Sequence, residues 1–250
     1  MPIIYGINAV SEALNARRVS RLVHERGAGT RVDALVSRAH ELRIPIETVD
    51  RRALEKLSRG GVHQGVAAHL ERVAAYTIEE LVQEGIGPPL LVVLDSIEDP
   101  QNVGAIFRSA DAAGATGVIR QARHAAPLDG ATARASAGAV AHVRIATVVN
   151  ISRALEDLKA LNVWTVGLDA GAAESYEAVD FTQPTALVLG AEGSGLRRLV
   201  RETCDRLVSI PMSGEVSSLN VSVAAGVALF EAARQRRLTA KAGSGKKGAG

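Results

Sequence analysis

Apolar positions along the chain switch repeatedly between helical and strand spacing. Ala9, Val10, Ala13 and Leu14 share one face at a 3.6-residue period and predict a helix over residues 8–16. Short apolar runs at 21–24, 45–49 and 65–70 read as strands, and 31–42 and 51–57 as helices. Together they form an α/β unit of roughly 70 residues. A short polar helix pattern at 76–84 precedes Gly85-Ile86-Gly87-Pro88-Pro89, a cluster that interrupts regular structure. The predicted organisation is therefore a first domain over 1–72, a linker over 73–88 and a second domain over 89–238.

From Leu90 the alternation is strictly βα. Residues 90–94 are continuously apolar, as in a strand buried on both faces of a parallel sheet. Strands follow at 117–120, 142–145, 163–168, 185–189 and 207–210, with helices at 102–113, 131–137, 151–161, 196–204 and 218–237. The fold class is α/β, a mostly parallel sheet covered on both faces. Residues 239–250 hold mainly Gly, Ala, Ser and Lys and are predicted to be a disordered basic tail.

Composition narrows the class. Hydrophobic residues are 47% and aromatics only 3%, so the core is built from Ala, Val, Leu and Ile. The single cysteine, Cys204, excludes a disulfide framework and a cysteine-rich zinc site. No apolar run approaches the roughly 20 residues of a membrane span. The start of the chain lacks a signal-peptide pattern, and a reduced cytoplasmic compartment is expected. The net charge of +2 is unevenly distributed. Residues 1–75 carry +4, residues 76–238 carry −5, and the last 12 residues add +3. Such asymmetry suits a chain whose first part meets an anionic polymer, although +4 over 75 residues by itself is more often an ordinary solvated surface.

In open parallel sheets, ligands bind beyond the carboxyl ends of strands. Three such ends carry unusual residues. After 90–94 comes Asp95 to Ala110, DSIEDPQNVGAIFRSA, in which Pro100 and Asn102 mark a helix start, Asn102 is the candidate N-cap, and Arg108 follows six residues later. After 185–189 comes the glycine loop Gly190-Ala191-Glu192-Gly193-Ser194-Gly195. Its spacing matches neither GxGxxG nor GxxxxGK[ST], it has no lysine, and Glu192 would repel a phosphate. It suits a neutral or cationic ligand, or is simply a tight turn that needs glycine. After 207–210 comes PMSGEVSSLNVS, where Ser217 or Ser218 is the candidate cap of the last helix.

In this order, DPQNVGAIFRSA, LVLGAEGSGL and IPMSGEVSSLNVSVAAG resemble the three signature motifs of the SpoU (TrmH-like) branch of the SPOUT methyltransferases. Residues 5–10 and 63–66 resemble parts of the small L30e-like substrate-binding domain that precedes the catalytic domain in many members, so the resemblance covers the chain apart from its tail. The whole-chain layout is most similar to members that methylate the 2′-hydroxyl of a guanosine in 23S ribosomal RNA. The resemblance implies a C-terminal deep trefoil knot. It implies S-adenosylmethionine held by the backbone of Gly190, Ile210 and Leu219, with no metal. Among the catalytic positions, Arg108 falls on the family's catalytic arginine and is expected to hold the target phosphate and stabilise the developing alkoxide. Asn102, Glu192, Ser218 and Asn220 fall on the remaining motif positions. A homodimer with a shared active site is also implied. The alternatives are the same chemistry on transfer RNA or another ribosomal nucleotide, and an RNA-binding module without catalysis.

Overall fold

The computed structural model describes residues 3–70, 76–85, 87–128 and 130–245. The chain divides into two units. The first is Met1–Ala74 with Asp99–Arg108 and Ala126–His142; the second is Ala75–Glu98, Ser109–Ala125 and Val143–Gly250.

In the first unit the elements run β1 (Ile3–Tyr5), α1 (Ile7–Asn15), β2 (Val19–Glu25), α2 (Thr30–Glu41), β3 (Ile46–Val49), α3 (Arg51–Leu57) and β4 (Val66–Leu70). The strands form one sheet in the order β1-β4-β2-β3. β4 is antiparallel to both neighbours, and β2 is parallel to β3. The predicted face of α1 is the buried one: Ala9, Val10, Ala13 and Leu14 pack with Val32 and Ala39 of α2 and with Leu22, Val66 and Leu70 of the sheet. The three residues of β1 are too few to show an alternation, so the pattern did not reveal this strand. Residues 5–10 and 63–66 meet in space. The Gly6 N–H donates to the Val66 carbonyl at 3.1 Å, and the Ile7 N–H donates to Gln64 Oε1 at 2.9 Å.

The second unit begins with α4 (Ile78–Gln83), whose capping box pairs Thr77 with Glu80. Ile78 and Leu81 are buried in the unit's core beside Ile119, Leu155 and Val188. Part of the expected linker is thus core structure, because a polar helix still carries two apolar residues on one face. There follow β5 (Leu90–Leu94), α5 (Pro100–Ala112), β6 (Gly117–Gln121), α6 (Gly130–Ala135), β7 (Ile145–Val148), α7 (Ile151–Ala160), β8 (Trp164–Leu168), β9 (Glu174–Ser175), β10 (Thr185–Leu189), α8 (Arg198–Thr203), β11 (Arg206–Ser209) and α9 (Val221–Gly245). α6 and the first nine residues of α5 lie in segments of the first unit. Seven strands form one sheet in the order β7-β6-β5-β10-β8-β11-β9, and each described pairing is parallel. Every residue of β5, β6 and β10 is buried, including Arg120 and Gln121 at the end of β6, and the unbroken apolar run of β5 requires it.

Two expectations need correction. The strand read at 142–145 lies at Ile145–Val148, and Ala139–Ala141 forms a 3₁₀ turn instead. The tail expected to be disordered from residue 239 continues α9 as far as Gly245, because Ala and Lys are strong helix formers and no proline intervenes. Residues 246–250 of that expected tail lie outside the described residues.

Candidate active site

The glycine loop is a closed turn. Ala191 and Gly195 exchange backbone hydrogen bonds, with Ala191 N–H donating to the Gly195 carbonyl at 3.1 Å and Gly195 N–H donating back at 2.8 Å. Gly193 and Gly195 have φ of +80° and +67°, a conformation that glycine adopts without strain. Gly190 is needed for a different reason: a Cβ there would collide with the backbone of Gly195 and Leu196. The loop is therefore pressed against the end of β10.

Directly after the loop, Arg197 anchors it to the sheet. Its N–H donates to Asp95 Oδ2 at 2.9 Å, its Nε donates to Asp95 Oδ1 at 2.6 Å, and its Nη2 donates to Gln121 Oε1 at 2.9 Å. Asp95, at the end of β5, is fully buried, so this guanidinium is the charge that makes its burial tolerable. Sequence reasoning passed over Asp95 and Arg197. The signal was present, in an acid closing an apolar strand and an arginine following a glycine loop.

A cavity of about 620 Å³ lies at the carboxyl ends of β8, β10 and β11. It is lined by Leu168–Gly171, by the glycine loop, by Val208–Ile210 with Met212, and by Ser217–Val221 with Ala224. Six of the eight residues singled out from the sequence line it together: Gly190, Glu192, Ile210, Ser218, Leu219 and Asn220. The described lining contains two acids, Asp169 and Glu192, and no lysine, arginine or histidine. Arg201 donates to Asp169 Oδ2 at 2.5 Å. That hydrogen bond, against the opposing pull of burial and with help from the Gly171 N–H, holds the Asp169 carboxyl below its ordinary range.

Asn220, not Ser217 or Ser218, caps the last helix. Its Oδ1 accepts from Ser222 N–H at 2.9 Å and from Ser222 Oγ at 2.6 Å, and its Nδ2 donates to Glu192 Oε1 at 3.4 Å. The helix begins at Val221, three residues later than expected, which leaves Ser218 exposed in the loop. One asparagine thus joins the helix start to the glycine loop.

Asn102 is not the cap of α5. Asp99 takes that place, its carboxylate accepting from Gln101 N–H at 3.3 Å and Asn102 N–H at 3.0 Å, with Pro100 as the first helical residue. Asn102 is buried and Arg108 is exposed. Both lie in the Asp99–Arg108 segment of the first unit and are not among the cavity's described lining residues. Gly104 of the same segment has a packing role, since a Cβ there would strike Ala135 and the Thr132 backbone of α6 and the Ser136 N–H just after it.

Cys204 is no nucleophile: burial pushes its thiol up to about 12. Among the described residues no group of three His, Cys, Asp or Glu side chains is placed to hold a metal ion, and no helix is long and apolar enough to cross a membrane.

An open parallel sheet with a small-molecule cavity at its strand ends, closed by a glycine loop that is not a phosphate cradle, defines an α/β enzyme of the cofactor-binding class. The chain belongs to the SpoU rRNA methylase family, whose profile matches residues 89–230; the profile for RNA 2′-O ribose methyltransferase substrate binding matches residues 3–75. It is 42% identical over 241 residues to the 23S rRNA (guanosine-2′-O-)-methyltransferase RlmB of Pseudomonas putida, covering 94% of this chain and 97% of that protein. The RlmB of Haemophilus influenzae is 43% identical over 239 residues, at 93% and 97% coverage. Among solved structures, the SpoU methyltransferase AviRb from Streptomyces viridochromogenes, in complex with the cofactor AdoMet, superposes with a TM-score of 0.79 at 30% identity, covering 94% of this chain and 90% of that one.

Proposed function

We propose that this protein transfers a methyl group from S-adenosylmethionine to the ribose 2′-hydroxyl of a guanosine in 23S ribosomal RNA. The observation that carries the reading is the cavity. It has the size of a small-molecule site, a largely backbone and aliphatic lining, two carboxylates and no described basic side chain. That set suits a nucleoside bearing a sulfonium cation and is a poor host for a phosphate. The residues that would hold the cofactor are Gly190, Ile210 and Leu219, through their backbone groups. When bound, S-adenosylmethionine supplies an electrophilic methyl group.

The chain's own residues supply the rest. A ribose hydroxyl is a weak nucleophile at neutral pH, so it must be oriented and its developing negative charge stabilised. Arg108 is assigned to the target phosphate and the alkoxide; a guanidinium stays protonated and serves as a donor in preference to a base. Asn220 and Ser218 are assigned to positioning the ribose or Arg108. Glu192 orders the loop through its hydrogen bond from Asn220. Asn102, buried on α5, completes the motif set.

The positive first segment is assigned to RNA binding and target choice, and the second domain to the cofactor. The reading also includes a trefoil knot, a cytoplasmic location and a homodimer. Val223, Phe230 and Leu238 are about half exposed along α9 at spacings of seven and eight residues, a stripe suited to a second copy of the chain.

The test is methyl transfer from labelled S-adenosylmethionine to unmodified 23S ribosomal RNA, with transfer RNA in parallel and the product mapped by primer extension. A single 2′-O-methylguanosine in 23S RNA is expected. In the same assay Arg108→Ala is expected to lose roughly a hundred- to thousandfold in rate at nearly unchanged cofactor affinity. Label in transfer RNA alone, or normal turnover by Arg108→Ala, overturns the corresponding part of the reading.

A further inference from the structure

A second pocket, of about 570 Å³, lies in the first unit among the end of β2, the first turns of α3 and the loop before β4. Its lining includes Glu25, Arg51, Val62, His63 and Gln64. His63 is only 8% exposed. Its Nδ1 accepts from the Gly65 N–H at 3.1 Å, which fixes the proton on Nε2, and no described group accepts from that Nε2. The Glu25 side chain is half-buried and makes no hydrogen bond or ion pair with any described residue, whereas Glu55 on the same lining is paired with Arg51 at 3.2 Å. The loop holding His63 is built to stay in place. Gln64 sits at φ +52°, uncommon for a residue with a Cβ, and its Oε1 accepts from the Ile7 N–H at 2.9 Å. Val62 beside it is 69% exposed, an apolar face open to the same side.

We infer that this pocket receives one unstacked guanine base of the RNA and reads it, the Glu25 carboxylate accepting from its N1–H and N2–H groups and His63 Nε2–H donating to its O6 or N7. Among the four bases only guanine offers two adjacent N–H donors on its Watson–Crick edge, and a carboxylate accepts both at once. Adenine and cytosine each put a ring acceptor next to their amino group, which a carboxylate repels, and uracil flanks its single N–H with two acceptors. Val62 gives the base a face to lie against. With Arg51 paired to Glu55, the Glu25 carboxylate is the remaining charge on the lining, and it disfavours a phosphate beside His63. The inference rests on the reading of the protein as an RNA methyltransferase and adds a pocket of the first unit, separate from the methyl-donor cavity, that reads a guanine.

The test uses the full-length chain labelled with ¹⁵N-histidine. The single-stranded pentaribonucleotides UUGUU, UUAUU, UUCUU and UUIUU are titrated to millimolar concentration, where I is inosine, which lacks the N2 amino group. UUGUU is expected to move the His63 side-chain resonances and to bind at least about fivefold tighter than the others, the low end for a bidentate base contact. Glu25→Gln is expected to abolish that preference while the side-chain resonances of His40 and His69 are unchanged, which shows that the first unit of the variant is folded. Equal affinity for all four, an unmoved His63 signal, or no binding of UUGUU overturns the inference. Methylation of 23S RNA is assayed on the same preparation. Methylation without guanine selectivity at His63 removes only this pocket, whereas guanine selectivity without methylation removes the proposed function and leaves the pocket.

Discussion

Single residues in the cavity are constrained by space and by charge. Gly190 leaves no room for a methyl group against Gly195 and Leu196. Gly190→Ala is expected to push the loop off β10, costing about 1–3 kcal/mol in stability and weakening S-adenosylmethionine binding, as read by urea unfolding and calorimetric titration. Gly193→Ala meets no neighbour and is strained only through its φ of +80°, so its cost is expected to be smaller. Asp169 gives a pH prediction. Its hydrogen bond from Arg201 lowers its folded pKa from the ordinary 3.8, so its contribution to stability is present above that value and is lost as pH falls through the lower folded value. Asp169→Asn is expected to destabilise the protein at pH 7, and the difference in urea midpoint should shrink as the pH falls below the ordinary 3.8. A difference that grew on acidification would contradict this sign.

At the scale of elements, the ends of β5, β6 and β10 are tied together by Arg197. Replacing Arg197 with Leu leaves the buried Asp95 carboxylate without its charge partner, a situation that costs roughly 3–5 kcal/mol. The expected result is a large loss in urea stability, with partial recovery in Arg197→Lys, which restores the charge but not the fork that bridges Asp95 and Gln121. If Asp95→Asn restores stability to Arg197→Leu, the cost lay in the unpaired charge. Elements also show where pattern reading stops. Helix starts depend on which side chain reaches back to a free N–H, and several candidates stand in a row at 99–102 and again at 217–220. Asp99 and Asn220 win because a side-chain oxygen of each accepts from the N–H two residues ahead, a detail of backbone direction that composition does not contain.

For the molecule as a whole, the charge asymmetry makes a measurable claim. Arg26, Arg52 and Arg59 are exposed on the first unit. Changing all three to Glu is expected to weaken 23S RNA binding, with cofactor affinity unchanged. The dependence of log affinity on log salt should flatten by about one unit for each phosphate that an arginine no longer neutralises. An unaltered salt slope would take RNA binding away from these arginines. What the sequence alone determined was the run of buried parallel strands, the amphipathic face of α1 and the three loops beyond strand ends, because each is written in local period or composition. Tertiary structure alone decided the rest. It brought Gly190, Glu192, Ile210, Ser218, Leu219 and Asn220 to one cavity from loops far apart in sequence. It put α4 into a core, and it joined Gln64 to Ile7 and Arg197 to Asp95 across 57 and 102 residues. The physical reason is range: burial period is set by neighbours three or four residues away, while a cavity and a buried ion pair depend on where distant strands end, and that is fixed only once the sheet has formed.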